Sequence, residues 1–311
     1  MIDQLATTYS IVAHDADTGQ LGVGVQTHQM AVGRLVPWLQ PGVGAVATQS
    51  LVNISYGPNG LKLLAGGASP AEAVQRLTDA DERAFHRQLG IVGADGRAAA
   101  FTGEHCIANA GHHVGEGYTV HANMMANNTV ISAMRQGYET TDGDLAGRIL
   151  AALQAAEAEG GDIRGKQSAA LVVVPGGGEG VESWTTVYDL RVDESDDPLA
   201  ELARLVRMRR AQLVSGLGDR AFAEGDKARA LQLWAQSRAM SPEQEELAFW
   251  QSMTLADEGD DIEGAVAVFE ETFGGRADRE QWLVLILRLE EARLVQREGA
   301  ARAFVTALQG Q

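Results

Sequence analysis

Three hydroxyl side chains stand close to the start of the chain: Thr7, Thr8 and Ser10, in a segment (residues 5–28) that reads as two β-strands joined by a tight turn. One large class of amide-cleaving enzymes uses a Thr, Ser or Cys at the start of such a strand as nucleophile, with its own α-amine as base. Here the hydroxyls lie near the N-terminus, not at it. With the preceding residues attached, Ser10 carries a peptide nitrogen and has no base of its own. Chemistry there needs removal of those residues or another base such as His14 or His28; otherwise the pocket binds without catalysis.

Other reactive residues offer less. His105 and Cys106 are adjacent, and neighbours on a strand point to opposite faces, so they make no dyad. His112, His113 and His121 have no carboxylate at ligand spacing, and no metal site or cofactor is expected. Gly176–Gly178 is not followed by the Lys-Ser/Thr of a phosphate-binding loop.

Composition narrows the partners. The 311 residues carry a formal net charge of −17, which repels phosphate backbones and argues against nucleic acid. No run approaches the ~18 apolar residues of a membrane helix, and no basic, apolar leader opens the sequence, so a cytoplasmic protein is expected. A single cysteine excludes an intramolecular disulfide framework and suits a reducing compartment.

The elements that must position these residues fall into two groups. Strands are expected at 6–14, 21–28 and 43–49, followed by helices over YGPNGLKLLAGG and SPAEAVQRLTDA. A hairpin turns at Asp95-Gly96, and two short strands lie in HHVGEGYTVHANMM. Helices follow at about 127–138 and 142–158, then strands at 168–174 and 184–192. Runs of strands alternating with runs of helices predict antiparallel sheets. VGVGV, VGAVAT and AALVVV are apolar on both faces, as strands covered on both sides are. Two stacked sheets with helices outside each satisfy this pattern: an α+β, four-layer α-β-β-α sandwich over residues 1–195.

Residues 196–311 read as an all-α domain, opened by Asp196 or Asp197 and Pro198 as helix start signals. Leu217, Gly218, Ala221, Ala230, Trp234 and Pro242 follow the spacing of a tetratricopeptide-like helical hairpin. The Gly225-Asp226 and Gly259-Asp260 turns are 34 residues apart, the length of that repeat, and Phe249, Ala256, Ala265 and Phe269 mark a second unit. Such repeats form a concave groove for a peptide or protein partner, or pack on the first domain or another subunit.

The strings TYSIVAHD, LGVGV, LVPW, PGVGAVATQS and GGDIRGKQSAAL, in that order over residues 7–194, resemble a bacterial family, domain of unknown function 1028, grouped with the Ntn hydrolase-like folds. The resemblance implies the same four-layer sandwich. Compared with proteasome subunits, it places Thr8 or Ser10 at the nucleophile, Ser10 fitting better by length, with Gln26 and Thr27 where an acid would stand. It further implies a fixed positive field from Arg34, oxyanion donors in the amides of Thr48 and Gln49, and support from Asn123. Asp162, Arg164, Gln167 and Ser168 form a polar loop beside the site, and Thr27, His28 and Asn53 complete its lining. The expected activity is hydrolysis of a small amide or peptide-like bond by a Ser/Thr nucleophile. The alternative is a non-catalytic, homo-oligomeric protein whose helical repeats bind a partner.

Overall fold

The computed structural model describes residues 5, 6 and 8–310. Thr7, one of the three hydroxyls noted above, lies outside them. The chain divides into two units, Met1–Val206 and Arg207–Gln311.

The first unit holds two antiparallel sheets. In one, β1 (Leu5–Ala6) and β4 (Pro37–Gln40) both pair with β5 (Gly44–Leu51), which pairs with β6 (Arg87–Gly93), and β6 with β7 (Ala98–Thr102). The other runs in the order β11 (Tyr188–Val192), β10 (Ser168–Val174), β3 (Leu21–Thr27), β2 (Thr8–His14), β9 (Tyr118–Ala122) and β8 (Gly111–Gly115). The expected opening strand is therefore split. β1 belongs to one sheet and β2 to the other.

Alternation sorts each strand's side chains between two environments. Val12, Val23 and Val25 meet Ala45, Ala47 and Val92 in an apolar core between the sheets. On the far side of β5 and β6, Val46, Leu89 and Ile91 pack on α1 (Tyr56–Ala65) and α2 (Pro70–Asp79). Helix α2 starts with a capping box, Ser69 and Glu72 bonding reciprocally. Behind the other sheet lie α3 (Val130–Thr140) and α4 (Leu145–Ala158). Both begin a few residues later than expected. Asp144 caps α4 through the Gly147 amide, which fixes that start.

Gly22 and Gly24 explain the Gly-rich pattern of β3. A Cβ at either position would collide with the Ile149 side chain, so bare backbone is what lets α4 settle on the sheet. Gly96, at φ 77°, turns the β6–β7 hairpin at the expected dipeptide.

The second unit is helical. The division falls within α5 (Pro198–Ala223), and α6 (Lys227–Met240), α7 (Glu245–Asp257), α8 (Ile262–Phe273), α9 (Arg279–Glu291) and α10 (Ala300–Gln309) follow. Asp226 and Asp261 cap α6 and α8. Trp234 is fully buried against Gly218 and donates its indole N–H to Asp219 Oδ1 at 2.8 Å. Phe249, Phe269, Phe273 and Phe304 complete the core. Among the described residues no helix is long and apolar enough to cross a membrane.

Candidate functional site

Strand register assembles a polar row at one end of the six-stranded sheet. Thr8 stands opposite Thr27, and Thr27 opposite Ser168. One step deeper, Ser10 stands opposite His121. Thr8 and Ser10 share the face of Val12 and so point into the space between sheets. From the facing sheet, β5 and β6 present Gln49 and Gln88, which are cross-strand partners. Thr8, Ser10, Thr27, Gln49, Gln88, His121, Asn123 and Ser168 are all at 0% exposure.

Buried polar groups at this density need partners, and most have them. Gln49 Nε2 donates to Thr8 O (2.9 Å) and to Gln88 Oε1 (2.7 Å). Gln88 Nε2 donates to Ala122 O (2.9 Å) and Gly111 O (3.0 Å). Asn123 Nδ2 donates to Gln88 Oε1 at 3.0 Å, while Asn123 Oδ1 is left without a partner.

These donations orient the Gln49 amide so that Oε1 faces Ser10, and Ser10 Oγ donates to it. A serine has one proton. Having given it to Gln49, Ser10 accepts from His121 Nε2 at 2.9 Å, and Thr119 Oγ1 donates to His121 Nδ1 at 3.3 Å. Burial drives the imidazole pKa down to about 3, with His112 adding to the effect, so the ring is neutral. Its Nε2 proton already points at Ser10, so the ring cannot receive the serine proton. Ser10 thus sits in a closed circuit, sealed between the sheets, and not beside an open cleft.

The row is charged where it nears solvent. The Asp162 carboxylate, 2% exposed, accepts from the His28 amide (3.3 Å), the Arg164 amide (3.0 Å) and Arg164 Nη2 (2.8 Å). Arg164 Nη2 also reaches Thr27 Oγ1 at 3.5 Å, and the Gln167 amide donates to Thr27 O at 3.0 Å. The structure therefore brings together Thr8, Ser10, Thr27, His28, Gln49, Asn123, Asp162, Arg164 and Gln167. His121, Gln88 and Thr119 join them from outside the expected set. The signal for Thr119 and His121 was a polar residue at every second position of TVHAN; RQLG, with Arg87 and Gln88 adjacent, offers no such alternation for Gln88.

Three expected residues lie elsewhere. Thr48 alternates away from Gln49 onto the face of Val46; its amide donates to Val36 O (3.3 Å) and its hydroxyl to Asn53 O (3.2 Å). That amide is occupied and does not face the row. Asn53 joins Tyr56 and Arg87 around Asp81. Burial would raise the Asp81 carboxyl, but Arg87 and Asn53 outweigh it and bring the pKa to about 2. Arg34 is exposed, beside Trp184 and Arg191.

The helical unit contains a groove of about 720 Å³. Ser215 and Gly216 of α5, Gln251 and Trp250 of α7, and Trp282 of α9 line it. Trp250 is 49% exposed. Every charged side chain on the lining is acidic: Asp219, Glu243, Glu245 and Glu246.

No curated protein matches the chain. A crystal structure of protein SPO2555 from Silicibacter pomeroyi, described under the same family model, is similar: 31% identical, covering 64% of this chain and 88% of that one, with a TM-score of 0.58. The model of the family of unknown function DUF1028 matches residues 8–202. On that match, which spans more than half its length, the chain belongs to the DUF1028 family.

Proposed function

We propose that this protein is a partner-binding member of the Ntn hydrolase-like superfamily, in which the helical unit grips a protein segment and Ser10 does no chemistry. The first unit is read as a four-layer α-β-β-α sandwich, a reading supported by the two facing sheets with α1–α2 behind one and α3–α4 behind the other. The helices of residues 207–311 are read as tetratricopeptide-like repeats, with Trp234 against Gly218 as the small-to-large contact between helices. The groove carries the proposal. It is concave, holds an exposed tryptophan and has carboxylates as its only charged lining. Such a surface favours an extended segment bearing Lys or Arg, whose cations meet Glu246 and Asp219 and whose stems or head groups stack on Trp250.

The test is titration of the full chain with a fluorescent Lys/Arg-containing peptide and with its Glu-substituted twin. The cationic peptide is expected to bind, and Trp250→Ala and Glu246→Lys each to weaken it by roughly tenfold, in line with loss of a single strong contact. Equal affinity for the two peptides would sink the proposal.

A second reading rests on the polar row. If residues ahead of Thr8 are removed, Thr8 gains an α-amine within a cluster that includes Thr27, Asn123 and the Asp162–Arg164 pair, and an amide hydrolase becomes available with Thr8 as nucleophile. Covalent labelling of Thr8 by a hydroxyl-directed probe, lost in Thr8→Ala and read by intact mass, would establish that reading over the non-catalytic one.

A further inference from the structure

Arg34 lies apart from the polar row, and its surroundings form a site of their own. Among the described residues β4 pairs only with β5, and β11 only with β10, so each is an edge of its sheet. Where these edges lie over one another, a slot of about 380 Å³ opens. Its apolar lining comes from Pro37 and Leu39 on β4 and from Val172 and Val174 on β10. The last two are in register with Ala170, which faces the core between the sheets. The slot is therefore the lateral opening of the inter-sheet space.

Two arginines mark its charge. Among the described residues Arg34 makes no ion pair, in a chain of net charge −17 where most arginines of the first unit have a carboxylate. The Arg191 guanidinium is held by Asp189 through bonds of 2.8 and 3.2 Å. Its stem lies across Gly33: a Cβ there would sit 3.2 Å from both Arg191 Cγ and Cδ. Among the described residues no acidic side chain lines the slot. Trp184 stands over it at 76% exposure, the most exposed large apolar side chain among the described residues, with Ser183 and Thr186 beside it as hydroxyl donors.

We infer that this slot binds a small aromatic anion, a flat ring carrying one carboxylate or phosphate. The ring enters between the β4 and β10 side chains and the Trp184 indole, and the anion meets Arg34. Size supports this occupant, since ~300–1,000 Å³ is the range of small-ligand clefts. Charge supports it too: the Arg34 guanidinium, which makes no ion pair among the described residues, attracts an anion through charge-assisted bonds and repels a cationic ring.

Calorimetric titration of the full chain with phenyl phosphate, benzoate, benzylamine and inorganic phosphate tests the assignment. Phenyl phosphate, benzoate or both are expected to saturate at one site per chain, and which of them binds tighter identifies the head group. Benzylamine and inorganic phosphate, lacking the anion or the ring, are expected to be at least ~10-fold weaker. Arg34→Ala and Trp184→Ala should each weaken the aromatic anion by ~10-fold or more. Both side chains are exposed, and unchanged thermal melting confirms that the variants fold. Benzylamine binding as tightly as benzoate, binding indifferent to both substitutions, or no saturable binding of either aromatic anion would each overturn the inference. The peptide groove lies on other residues, so these results leave it unaffected.

Discussion

A serine proton can point to one acceptor at a time, and at Ser10 that acceptor is Gln49. The same accounting makes His121 a donor to Ser10 and leaves it neutral, with a pKa near 3 set chiefly by desolvation. A histidine held neutral in the fold but free to protonate when unfolded links stability to pH. Its folded pKa lies below the ordinary histidine value of 6.5 that holds in the unfolded chain, so the unfolded chain binds more protons between the two. The contribution is complete above about 6.5 and is lost as pH falls toward 3. His121→Gln should therefore flatten the decline in denaturant midpoint between pH 6.5 and 4, whatever it costs at neutral pH. Midpoints measured at three pH values check this, and an unchanged slope would show that His121 is not the titrating group. At this scale the sequence was legible in residue type and illegible in partner. The resemblance points to Ser10 as nucleophile and to the backbone amide of Gln49, whereas it is the Gln49 side chain that meets Ser10. His121 was not joined to them, because the pairing of β2 with β9 spans more than a hundred residues and leaves no local trace.

Elements explain why Arg34 does not reach the row. The resemblance puts it near the nucleophile, but residues 32–34 form a single helical turn that follows Ala31 at φ 57°. That left-handed residue redirects the backbone before β4 begins. Hydrophobic period cannot reveal such a reversal, whereas it does reveal strands and helices of ordinary length, which is why β2, β3, α1 and α2 were anticipated close to their bounds. The glycines of β3 were legible as a pattern and not as a reason. Their reason is Ile149 of α4. Gly24→Val should thus lower stability by about 1–3 kcal/mol through overpacking, with helix content retained. Chemical denaturation with circular dichroism measures both, and a neutral result would mean that α4 yields without strain.

For the whole molecule, net charge acts at a distance. A chain at −17 draws a cationic peptide from well beyond contact, while a compact aromatic anion must approach against that field. The screening length falls from about 30 Å at 0.01 M salt to about 3 Å at 1 M. Added salt should therefore slow peptide association at the helical groove several-fold and leave its dissociation nearly constant. Stopped-flow titration separates the two rates. Salt dependence confined to dissociation would place the recognition in short-range contacts alone.

The passage of the chain from β1 to β2 has one more consequence. β1 and β4 lie end to end along the same side of β5, β4 covering Gly44–Ala47 and β1 covering Ser50–Leu51. A cut ahead of Thr8 would do more than free an amine. It would sever one of the chain's crossings between the sheets and bare two residues of hydrogen-bonding margin on β5. Bare margins recruit strands, so cleavage would hand the vacated berth to any extended segment that fits. Such a maturation would be an exchange of strands as much as a change of chemistry.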